Sequence, residues 1–359
     1  MKRLKSVFIT GATGQVGSYL LKVLLEQNYK VFILARSTKD KTANNRAREA
    51  IGFWSKKALC KNSKNIIILE GDLRNSSLSS NRGILKKMEN EVEEIYHCAA
   101  STKFNSPLER IRAVNVVGTK NVLDFAKRCK ALKKVNYVST AFVCGNHQGV
   151  FKEKSLDLGQ GFNTAYEQSK FEGEKLANAY RHNGLWIDFF RPVLVVGDSK
   201  NGKTITFNQS VYQLLHMWNL EIFESFPIKN YSIKVVFVDD LCKSIFAISS
   251  KTSKINQTYH TFNHQTIPLE VILKISSSIL GFREPKATFY SEFLRCKLSP
   301  VQKMILQNNI LLYNTEVQLD ARVTKNVLKR FNFSFSRLNK RNFSNLITYA
   351  IKSGFLRKK

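Results

Sequence analysis

The sequence predicts an α/β protein with a Rossmann-type, doubly wound parallel sheet and a smaller, partly discontinuous C-terminal region. Two observations predict this fold. Apolar strand-like runs alternate with segments of helical periodicity through roughly the first 195 residues, and the glycine-rich sequence "TGATGQVG" follows the first run. Beyond about residue 199 the alternation loosens and returns once, as "IKVVFVDDLCKSIFAI".

Six apolar runs are the predicted strands of the sheet. In chain order they are "SVFIT", "KVFILAR", "NIIILEGD", "EIYHCAA", "KVNYVST" and "WIDFFRP". Segments such as "VGSYLLKVLLEQ" and "NVVGTKNVLDFAKRC" carry apolar residues at helical spacing and are predicted crossover helices. We therefore assign residues 1–198 to a nucleotide-binding domain with a return segment near 232–262, and residues 199–359 to a substrate-binding, basic C-terminal region.

Composition predicts a globular protein of the cytoplasm. Of 359 residues 43% are apolar, which is enough for one large core or two modest ones. The six cysteines include no C-x-x-C pair, which argues against a zinc site or a disulfide framework and fits a reducing compartment. The apolar run "VFI" near the start is too short for a signal peptide, and no stretch approaches the ~18 apolar residues of a membrane span.

Much of the net charge of +30 is concentrated at the C-terminal end, where the residues from Arg322 to Lys359 include eleven Lys or Arg and no Asp or Glu. Two interpretations stay open: solvated lysine-rich faces, or a functional patch that attracts anions. The second includes weak contact with anionic membrane, which would place the protein peripherally at a membrane surface. Nucleic acid is not expected as a partner. The alternating "FNFSF" at residues 331–335 predicts a short, half-buried strand.

Gly11, Gly14 and Gly17 form a turn between the first predicted strand and the first predicted helix. At such a turn, backbone N–H groups and the helix dipole hold a pyrophosphate. This spacing is rare by chance in a chain with 17 glycines, so the motif predicts a dinucleotide site. A glycine-rich turn without a ligand is the alternative.

The end of the second strand indicates which dinucleotide binds. NAD enzymes place a carboxylate there, about 20 residues after the glycines, to bond the ribose, whereas this chain has Arg36 in "ILARS". Arginine favours the 2′-phosphate and therefore NADPH, with a solvated strand-end arginine as the alternative. Asp72, in "EGDL" after the third strand, is the candidate for bonding the adenine; a plain loop aspartate is the alternative.

Tyr166 and Lys170 in "YEQSK" lie four residues apart, on one face of a predicted helix. The pattern is weak alone, but it follows "VSTAFVCG", whose Thr140 ends the fifth strand at the edge where ligands bind in such sheets. A free tyrosine titrates near 10, so a neighbouring ammonium is expected to favour its ionised form. The three side chains are therefore candidate catalytic residues.

These motifs together resemble the extended short-chain dehydrogenase/reductase superfamily over nearly all of the first 260 residues. Their order is "TGATGQVG", "GDL", "HCAAS", "NVVGT", "VSTAFVCG", "YEQSK", "RPVLVVG" and "FVDDL". Within the superfamily, "STAFVCG" and "RPVLVVGDSKNG" resemble the fatty acyl-CoA reductase and thioester reductase branch, although Asn201 replaces its usual threonine.

The resemblance implies an NADPH-dependent oxidoreductase that reduces an acyl thioester of CoA or of an acyl carrier protein to an aldehyde or an alcohol. Thr140 and Tyr166 would bond the oxygen on which negative charge develops, with Tyr166 as general acid. Asp198 and Ser199 would form a substrate loop. Further implied cofactor contacts are Thr13, Gln15, Val16, Leu73, Ala99, Ala100, Tyr166, Lys170, Pro192 and Val193.

Two other functions stay open. The first is an NAD(P)-dependent epimerase or dehydratase, or a sterol or sugar-nucleotide dehydrogenase, of the same superfamily; Arg36 and "GDSKNG" favour the thioester branch instead. The second is a non-catalytic NADP-binding interaction protein, which the intact Thr140, Tyr166 and Lys170 disfavour.

Three further features have competing interpretations. "GDSKNGKT", residues 197–204, matches the P-loop pattern, but the following "TITF" is β-branched and aromatic where a P-loop leads into a helix. His97 in "HCAAS" is expected to be packed or beside the cofactor rather than a base, because no carboxylate partner can be assigned to it. Glu153 is expected to be an exposed loop glutamate, with a position facing the substrate as the alternative.

Overall fold

The computed structural model describes six stretches of the chain, residues 4–103, 106–208, 210–251, 256–293, 295–307 and 317–359. The strands within them are β1 (Ser6–Thr10), β2 (Lys30–Ala35), β3 (Ile66–Glu70), β4 (Glu94–His97), β5 (Lys134–Val138), β6 (Gly149–Phe151), β7 (Ile187–Pro192), β8 (Leu194–Val196), β9 (Ser225–Phe226), β10 (Ser232–Ile233), β11 (Val235–Phe237), β12 (Thr258–Thr261), β13 (Ile267–Pro268), β14 (Lys286–Ala287) and β15 (Val317–Leu319).

Helices connect most of these strands, and within the described stretches none is both long and apolar enough to cross a bilayer. In chain order they are α1 (Gln15–Glu26), α2 (Ala43–Trp54), α3 (Lys56–Lys61), α4 (Arg82–Glu91), α5 (Leu108–Arg112), α6 (Gly118–Arg128), α7 (Ala165–His182), α8 (Ser210–Asn219), α9 (Val238–Lys251), α10 (Leu269–Leu280), α11 (Tyr290–Phe293), α12 (Pro300–Gln307), α13 (Arg322–Lys329) and α14 (Lys340–Lys352).

Seven strands form one parallel sheet in the order β12-β7-β5-β4-β1-β2-β3. The chain builds outward from β1 to β3 and then returns to the other side of β1 at β4. This reversal is a topological switch point, and ligands bind in such sheets outside the carboxyl ends of the strands at that point. The six predicted strands are β1 to β5 and β7, so the predicted Rossmann-type fold is confirmed.

The start of α7 is fixed by a capping box. Thr164 Oγ1 accepts a hydrogen bond from the Glu167 amide, and the Glu167 carboxylate accepts one from the Thr164 amide. Both satisfy N–H groups that the helix leaves unpaired. Further along, a Cβ on Gly173 would lie 2.5 Å from the Asn115 carbonyl oxygen, so glycine lets α7 pack closely beside the helical segment around residue 115. The capping box therefore fixes where α7 begins, and Gly173 sets how closely the helix packs.

The chain forms two compact units. The first comprises residues 1–192, 242–261 and 318–333, and it contains the seven-stranded sheet. The second comprises residues 193–241, 262–317 and 334–359. The predicted return segment near 232–262 is thus divided between the two units. Assignment of one unit to cofactor and the other to substrate stays a prediction.

The second unit has an apolar core of its own, to which α8, α10 and α14 contribute. Trp218 and Leu215 of α8, Ile272 of α10 and Ile347 of α14 are all buried in it. Three two-stranded pairs belong to this unit: β8 with β11 and β9 with β14, both parallel, and β10 with β13, antiparallel. A core of this kind stabilises the unit through apolar burial.

The strand predicted from "FNFSF" is wrong, because residues 331–335 form a turn followed by irregular chain. The Phe331 and Phe333 amides both donate to the Leu328 carbonyl oxygen at the end of α13, and Asn332 has a φ of +52°. This left-handed conformation ends the helix. The alternation reflects a helix end, not a pleated strand.

Candidate active site

The glycine turn between β1 and α1 has two glycines that the protein itself requires. Gly11 has a φ of +72°, and a Cβ there would lie 2.6 Å from the Ala99 nitrogen; a Cβ on Gly17 would lie 2.2 Å from the Gly11 carbonyl oxygen. Gly14 differs, because its backbone is extended and a Cβ would meet its nearest neighbour at 3.4 Å. Since none of the described residues comes close enough to require glycine there, the position leaves room for a phosphate at the N-terminus of α1.

A groove runs from this turn along the carboxyl ends of the parallel strands. Its walls combine small residues and backbone at the glycine turn with arginine side chains at the far end, which suits the phosphates of a dinucleotide. The lining residues are Thr10, Gly11, Thr13, Gly14, Leu34, Ala35, Arg36, Arg46, Gly71, Asp72, Leu73, Cys98, Ala99, Ala100 and Val114.

Arginines surround Asp72 at the far end of the groove. Arg36 Nη1 lies 3.6 Å from Asp72 Oδ2, and Arg74 donates to both oxygens of the same carboxylate. The hydrogen bond from Arg74, with Arg36 adding to it, lowers the pKa of Asp72 below its usual value. Arg46 of α2 also lines the groove and donates to the Arg36 carbonyl oxygen. Sequence reasoning missed Arg46, although its place on the helix after β2, ten residues beyond Arg36, was a usable signal.

The three predicted catalytic residues lie together in the first unit. Thr140 Oγ1 hydrogen-bonds the Tyr166 side chain, and it also donates to the Pro192 carbonyl oxygen at 3.4 Å. Lys170 is buried, and its Nζ donates to the Val138 carbonyl oxygen at 3.0 Å. Lys170 also acts electrostatically on Cys98, which lines the groove. The structure therefore gathers a hydroxyl, a phenol and an ammonium beside the candidate dinucleotide groove.

Burial changes the acidity of this group. Loss of hydration raises the pKa of Tyr166 above its usual value, while Lys170 and the hydrogen bond with Thr140 act in the opposite direction. Burial lowers the pKa of Lys170, and Tyr166 and Glu174 oppose that effect. Lys170 thus favours the ionised tyrosine as expected, but in the chain alone desolvation is the larger effect.

His97 is a packed residue, as expected from the sequence. Its Nδ1 lies 2.8 Å from Thr10 Oγ1 and its Nε2 lies 3.0 Å from Thr119 Oγ1. The ring stacks on Tyr137. Burial, with a contribution from Lys170, lowers the pKa of His97 to about 3. A histidine held neutral between two hydroxyls is unsuited to accept a proton near neutral pH.

Both interpretations of Glu153 are wrong. Its side chain is 4% exposed, and its carboxylate accepts hydrogen bonds from the amides of Val323 and Thr324, the Thr324 hydroxyl and the His260 amide. The carboxylate therefore satisfies the free N–H groups in the first turn of α13. Its partners lie 107 to 171 residues away in the sequence, so no local pattern indicates this role.

The remaining predicted contacts fall into three groups. Thr13, Leu73, Ala99 and Ala100 line the groove. At the start of α1, Gln15 is buried and the Val16 carbonyl oxygen accepts from Cys242 Sγ. Pro192 ends the first segment of the first unit, whereas Val193, Asp198 and Ser199 belong to the second unit.

The "GDSKNGKT" loop is closed on its own carboxylate. Asp198 Oδ1 accepts from the amides of Lys200 and Asn201, and Ser199 donates to Asp239 through both its amide and its hydroxyl. In a P-loop, such amides bind phosphate instead. Residues 204–207 are not helical, which agrees with the expectation from "TITF". The loop therefore lacks the geometry of a nucleotide-hydrolysing site.

We expect no magnesium-dependent ATP hydrolysis from the wild-type chain, because the Asp198 carboxylate already accepts hydrogen bonds from the amides that a phosphate would need. Phosphate release should be measured for wild type and Lys203→Ala under the same conditions. Both should match a blank without protein. Hydrolysis that is present in wild type and lost in Lys203→Ala would contradict this expectation.

A comparison with protein families agrees with a dinucleotide site at this position. The model of an NAD-binding family described as "Male sterility protein" matches residues 9–245. The chain belongs to this family. The match begins in β1 and covers the glycine turn, Arg36, Thr140 and the "YEQSK" helix. Together with the reductases among its relatives, this match confirms the resemblance to the fatty acyl-CoA reductase and thioester reductase branch.

Relatives of this male sterility family chain include reductases. Over 173 residues it is 33% identical to an alcohol-forming fatty acyl-CoA reductase of Simmondsia chinensis, covering 44% of this chain and 35% of that protein. Over 267 residues it is 26% identical to the L-2-aminoadipate reductase large subunit of Candida glabrata, covering 68% of this chain and 19% of that protein. The chain spans about a third or less of the length of the curated relatives it matches.

Solved structures share the fold over the whole length of the chain. The terminal R domain from the myxalamid PKS-NRPS biosynthetic pathway has a TM-score of 0.86 at 24% identity, covering 100% of this chain and 93% of that domain. The yeast methylglyoxal/isovaleraldehyde reductase Gre2, complexed with NADPH, has a TM-score of 0.71 at 18% identity, covering 98% and 100%. At these identities the likeness establishes the fold.

Proposed function

We propose that this protein is an NADPH-dependent oxidoreductase that reduces an acyl thioester to an aldehyde or an alcohol. The observation that carries the proposal is the grouping of Thr140, Tyr166 and Lys170 beside a dinucleotide groove, in a chain of the male sterility family. The names of its relatives, a fatty acyl-CoA reductase and an aminoadipate reductase, support a thioester or carboxyl-level substrate.

Each catalytic side chain has a distinct role in this proposal. Bound NADPH supplies the hydride that reaches the thioester carbonyl carbon. Thr140 and Tyr166 hydrogen-bond the carbonyl oxygen, and Tyr166 donates its proton as negative charge develops there. The Lys170 ammonium stabilises the resulting tyrosinate by its positive charge. Collapse of the hemithioacetal then releases the thiol of CoA or of a carrier protein and leaves an aldehyde.

The groove favours NADPH over NADH. Arg36 and Arg46 both line its far end, and neither would be needed to bond ribose hydroxyls. Two guanidinium groups suit the 2′-phosphate through charge-assisted hydrogen bonds. The residues proposed to hold the rest of the cofactor are the glycine turn, Thr13, Asp72, Leu73, Ala99 and Ala100. The same preference weighs against the epimerase alternative, which usually retains tightly bound NAD.

The test uses the purified full chain with NADPH and a series of acyl-CoA and acyl-carrier-protein thioesters. Cofactor consumption and product analysis should show NADPH-dependent formation of aldehyde or alcohol, and the comparison of thiol carriers identifies the partner. Protein that is purified with bound NAD⁺, and that consumes no NADPH with any thioester, would support the epimerase alternative instead.

Arg36→Ala should weaken NADPH binding about 10- to 100-fold, because a charge-assisted contact to phosphate contributes about 1.5–3 kcal/mol. The lower end is expected, since the Arg36 side chain is 58% exposed and its charge is screened by solvent. Arg46→Ala should act in the same direction.

Binding of NADPH and NADH should be compared by fluorescence titration. Arg48→Ala is the matched control. Arg48 lies on α2, as Arg46 does, but its side chain bonds Asn44 and does not line the groove. Wild type that binds NADH as tightly as NADPH would refute the assigned phosphate contact.

We also propose that the protein acts in the cytoplasm and contacts anionic membrane weakly through its basic C-terminus. All six cysteines are free thiols, as suits a reducing compartment. On α13 and after it, Lys325, Lys329 and Arg330 are exposed, and on α14 so are Lys340 and Arg341. Such residues contribute about 1 kcal/mol each near an anionic surface.

Co-sedimentation with phosphatidylserine vesicles should therefore exceed that with neutral vesicles and fall as salt is raised. A variant with Lys325, Lys329 and Arg330 changed to Gln should sediment less than wild type. Equal sedimentation with both kinds of vesicle would contradict the membrane contact and support the alternative that these basic residues are simply exposed to solvent.

A further inference from the structure

Glu174 is a buried carboxylate on α7, one turn beyond Lys170, and its side chain has 0% exposure. It accepts hydrogen bonds from Arg191 Nε at 3.0 Å, from Arg191 Nη2 and from Ser139 Oγ at 2.5 Å. Arg191 is 1% exposed. Glu174 is therefore one half of a fully buried ion pair next to the catalytic group.

The partners of Glu174 belong to the two strands that present Thr140. Ser139 immediately precedes Thr140 at the end of β5, and its amide donates to the Phe190 carbonyl oxygen on β7. Arg191 immediately precedes Pro192, whose carbonyl oxygen accepts from Thr140 Oγ1. One carboxylate thus joins the helix that carries Tyr166 and Lys170 to both strand ends around Thr140.

The other donors of Arg191 are held as well. Its Nη1 donates to the Glu153 carbonyl oxygen and faces His260 Nε2 at 3.3 Å. Burial and the Arg191 charge lower the pKa of His260 to about 3, so the ring is neutral. His260 Nδ1 lies 2.7 Å from the Asp320 carbonyl oxygen, which puts the proton on Nδ1 and leaves Nε2 to accept from Arg191. The guanidinium is consequently fixed in one orientation.

We infer that Glu174 is a positioning residue for the proposed reaction: through Ser139 and Arg191 it aligns Thr140 with Tyr166, and it places a negative charge one turn of α7 beyond Lys170. This inference rests on the proposed function for its catalytic meaning. Stability alone does not call for such a pair, because buried ion pairs often contribute no more than well-packed apolar residues. A fixed geometry of about 1 Å tolerance, by contrast, is what proton transfer and oxyanion stabilisation require.

The charge of Glu174 acts on Lys170 against the effect of burial. Burial lowers the pKa of Lys170 and Glu174 raises it. Removing the carboxylate should therefore lower the pKa of Lys170 further, and the unpaired Arg191 charge acts in the same direction. The other titratable groups that act on Lys170 are Tyr166 of α7, Tyr137 of β5, His97 of β4 and Cys98 after β4.

The experiment compares Glu174→Gln, Glu174→Asp and Ser139→Ala with wild type. The first removes the charge, the second keeps it, and the third removes one hydrogen bond while leaving the ion pair. Lys170 is titrated by NMR in protein labelled at the lysine ε-carbon, with Lys170→Arg to assign the signal. The pH profile of kcat/KM, the melting temperature and the NADPH Kd are measured alongside.

Glu174→Gln should move the titration of Lys170 and the alkaline limb of kcat/KM to lower pH, and reduce kcat about tenfold or more. Glu174→Asp should return the titration of Lys170 to its wild-type pH. Ser139→Ala should reduce kcat and leave the titration of Lys170 unchanged. Loss of stability with Lys170 titrating as in wild type in Glu174→Gln would overturn the inference. If wild type reduces no thioester, the proposed function fails, while the Lys170 titration still decides whether Glu174 holds that charge.

Discussion

Tyr166→Phe should lower kcat for thioester reduction by about 10² or more, with little change in the NADPH Kd. The ring remains and fills the same space, but the hydroxyl that bonds Thr140 and would donate the proton is gone. Loss of hydration raises the pKa of Tyr166, so the hydroxyl carries its proton at neutral pH, and the Lys170 charge favours release of that proton. Stopped-flow or steady-state NADPH oxidation with an accepted thioester measures the loss.

Tyr180→Phe is the matched control for this change. Tyr180 lies on the same helix, and its hydroxyl donates to Asp124 rather than to the catalytic group. This control should lose about 1 kcal/mol of stability through the missing hydrogen bond and retain its turnover. Near-normal turnover in Tyr166→Phe would exclude Tyr166 as the acid.

Gly14→Ala should raise the NADPH Kd about 10- to 100-fold, because an extra methyl group in a filled space costs about 1–3 kcal/mol. The folded chain itself should tolerate the change. Its φ of −95° suits any residue, and among the described residues the atom nearest to the new Cβ is the Gly11 carbonyl oxygen at 3.4 Å. Titration with NADPH and a thermal melt of the same sample separate the two effects.

Two further glycine variants make the Gly14 result specific. Gly17→Ala would place a Cβ 2.2 Å from the Gly11 carbonyl oxygen, so it should lower both stability and binding. Gly83→Ala, on α4, would place a Cβ 3.6 Å from the Asn81 side chain, an ordinary contact, so it should leave NADPH binding unchanged and should not lower stability. Unaltered NADPH affinity in Gly14→Ala would mean that no phosphate approaches this position.

Local patterns in the sequence predicted the sheet and most of the candidate site. The strands β1, β4, β5 and β7 are buried at every position and β2 at all but its first, so apolar residues dominate these runs; the edge strand β3 is only partly buried. The glycine turn and the Tyr166–Lys170 pair are equally local, because both depend on spacings of three or four residues. Such features need no knowledge of distant partners.

The sequence by itself determined the order of the strands along the chain, the glycine turn and the residues that meet beside it. Only the tertiary structure decided what Glu153, Asp198 and Glu174 do, since burial and hydrogen-bond partners are set by the folded chain. The Glu153 carboxylate accepts hydrogen bonds from the first turn of α13, and Glu174 on α7 pairs with Arg191 on β7. The Asp198 carboxylate accepts hydrogen bonds from the amides of its own loop, so the phosphate site that the "GDSKNGKT" motif suggests is not formed. The residue type of a carboxylate does not reveal whether it is solvated, caps a helix or pairs with a buried cation. Its surroundings in the folded chain fix its charge and role.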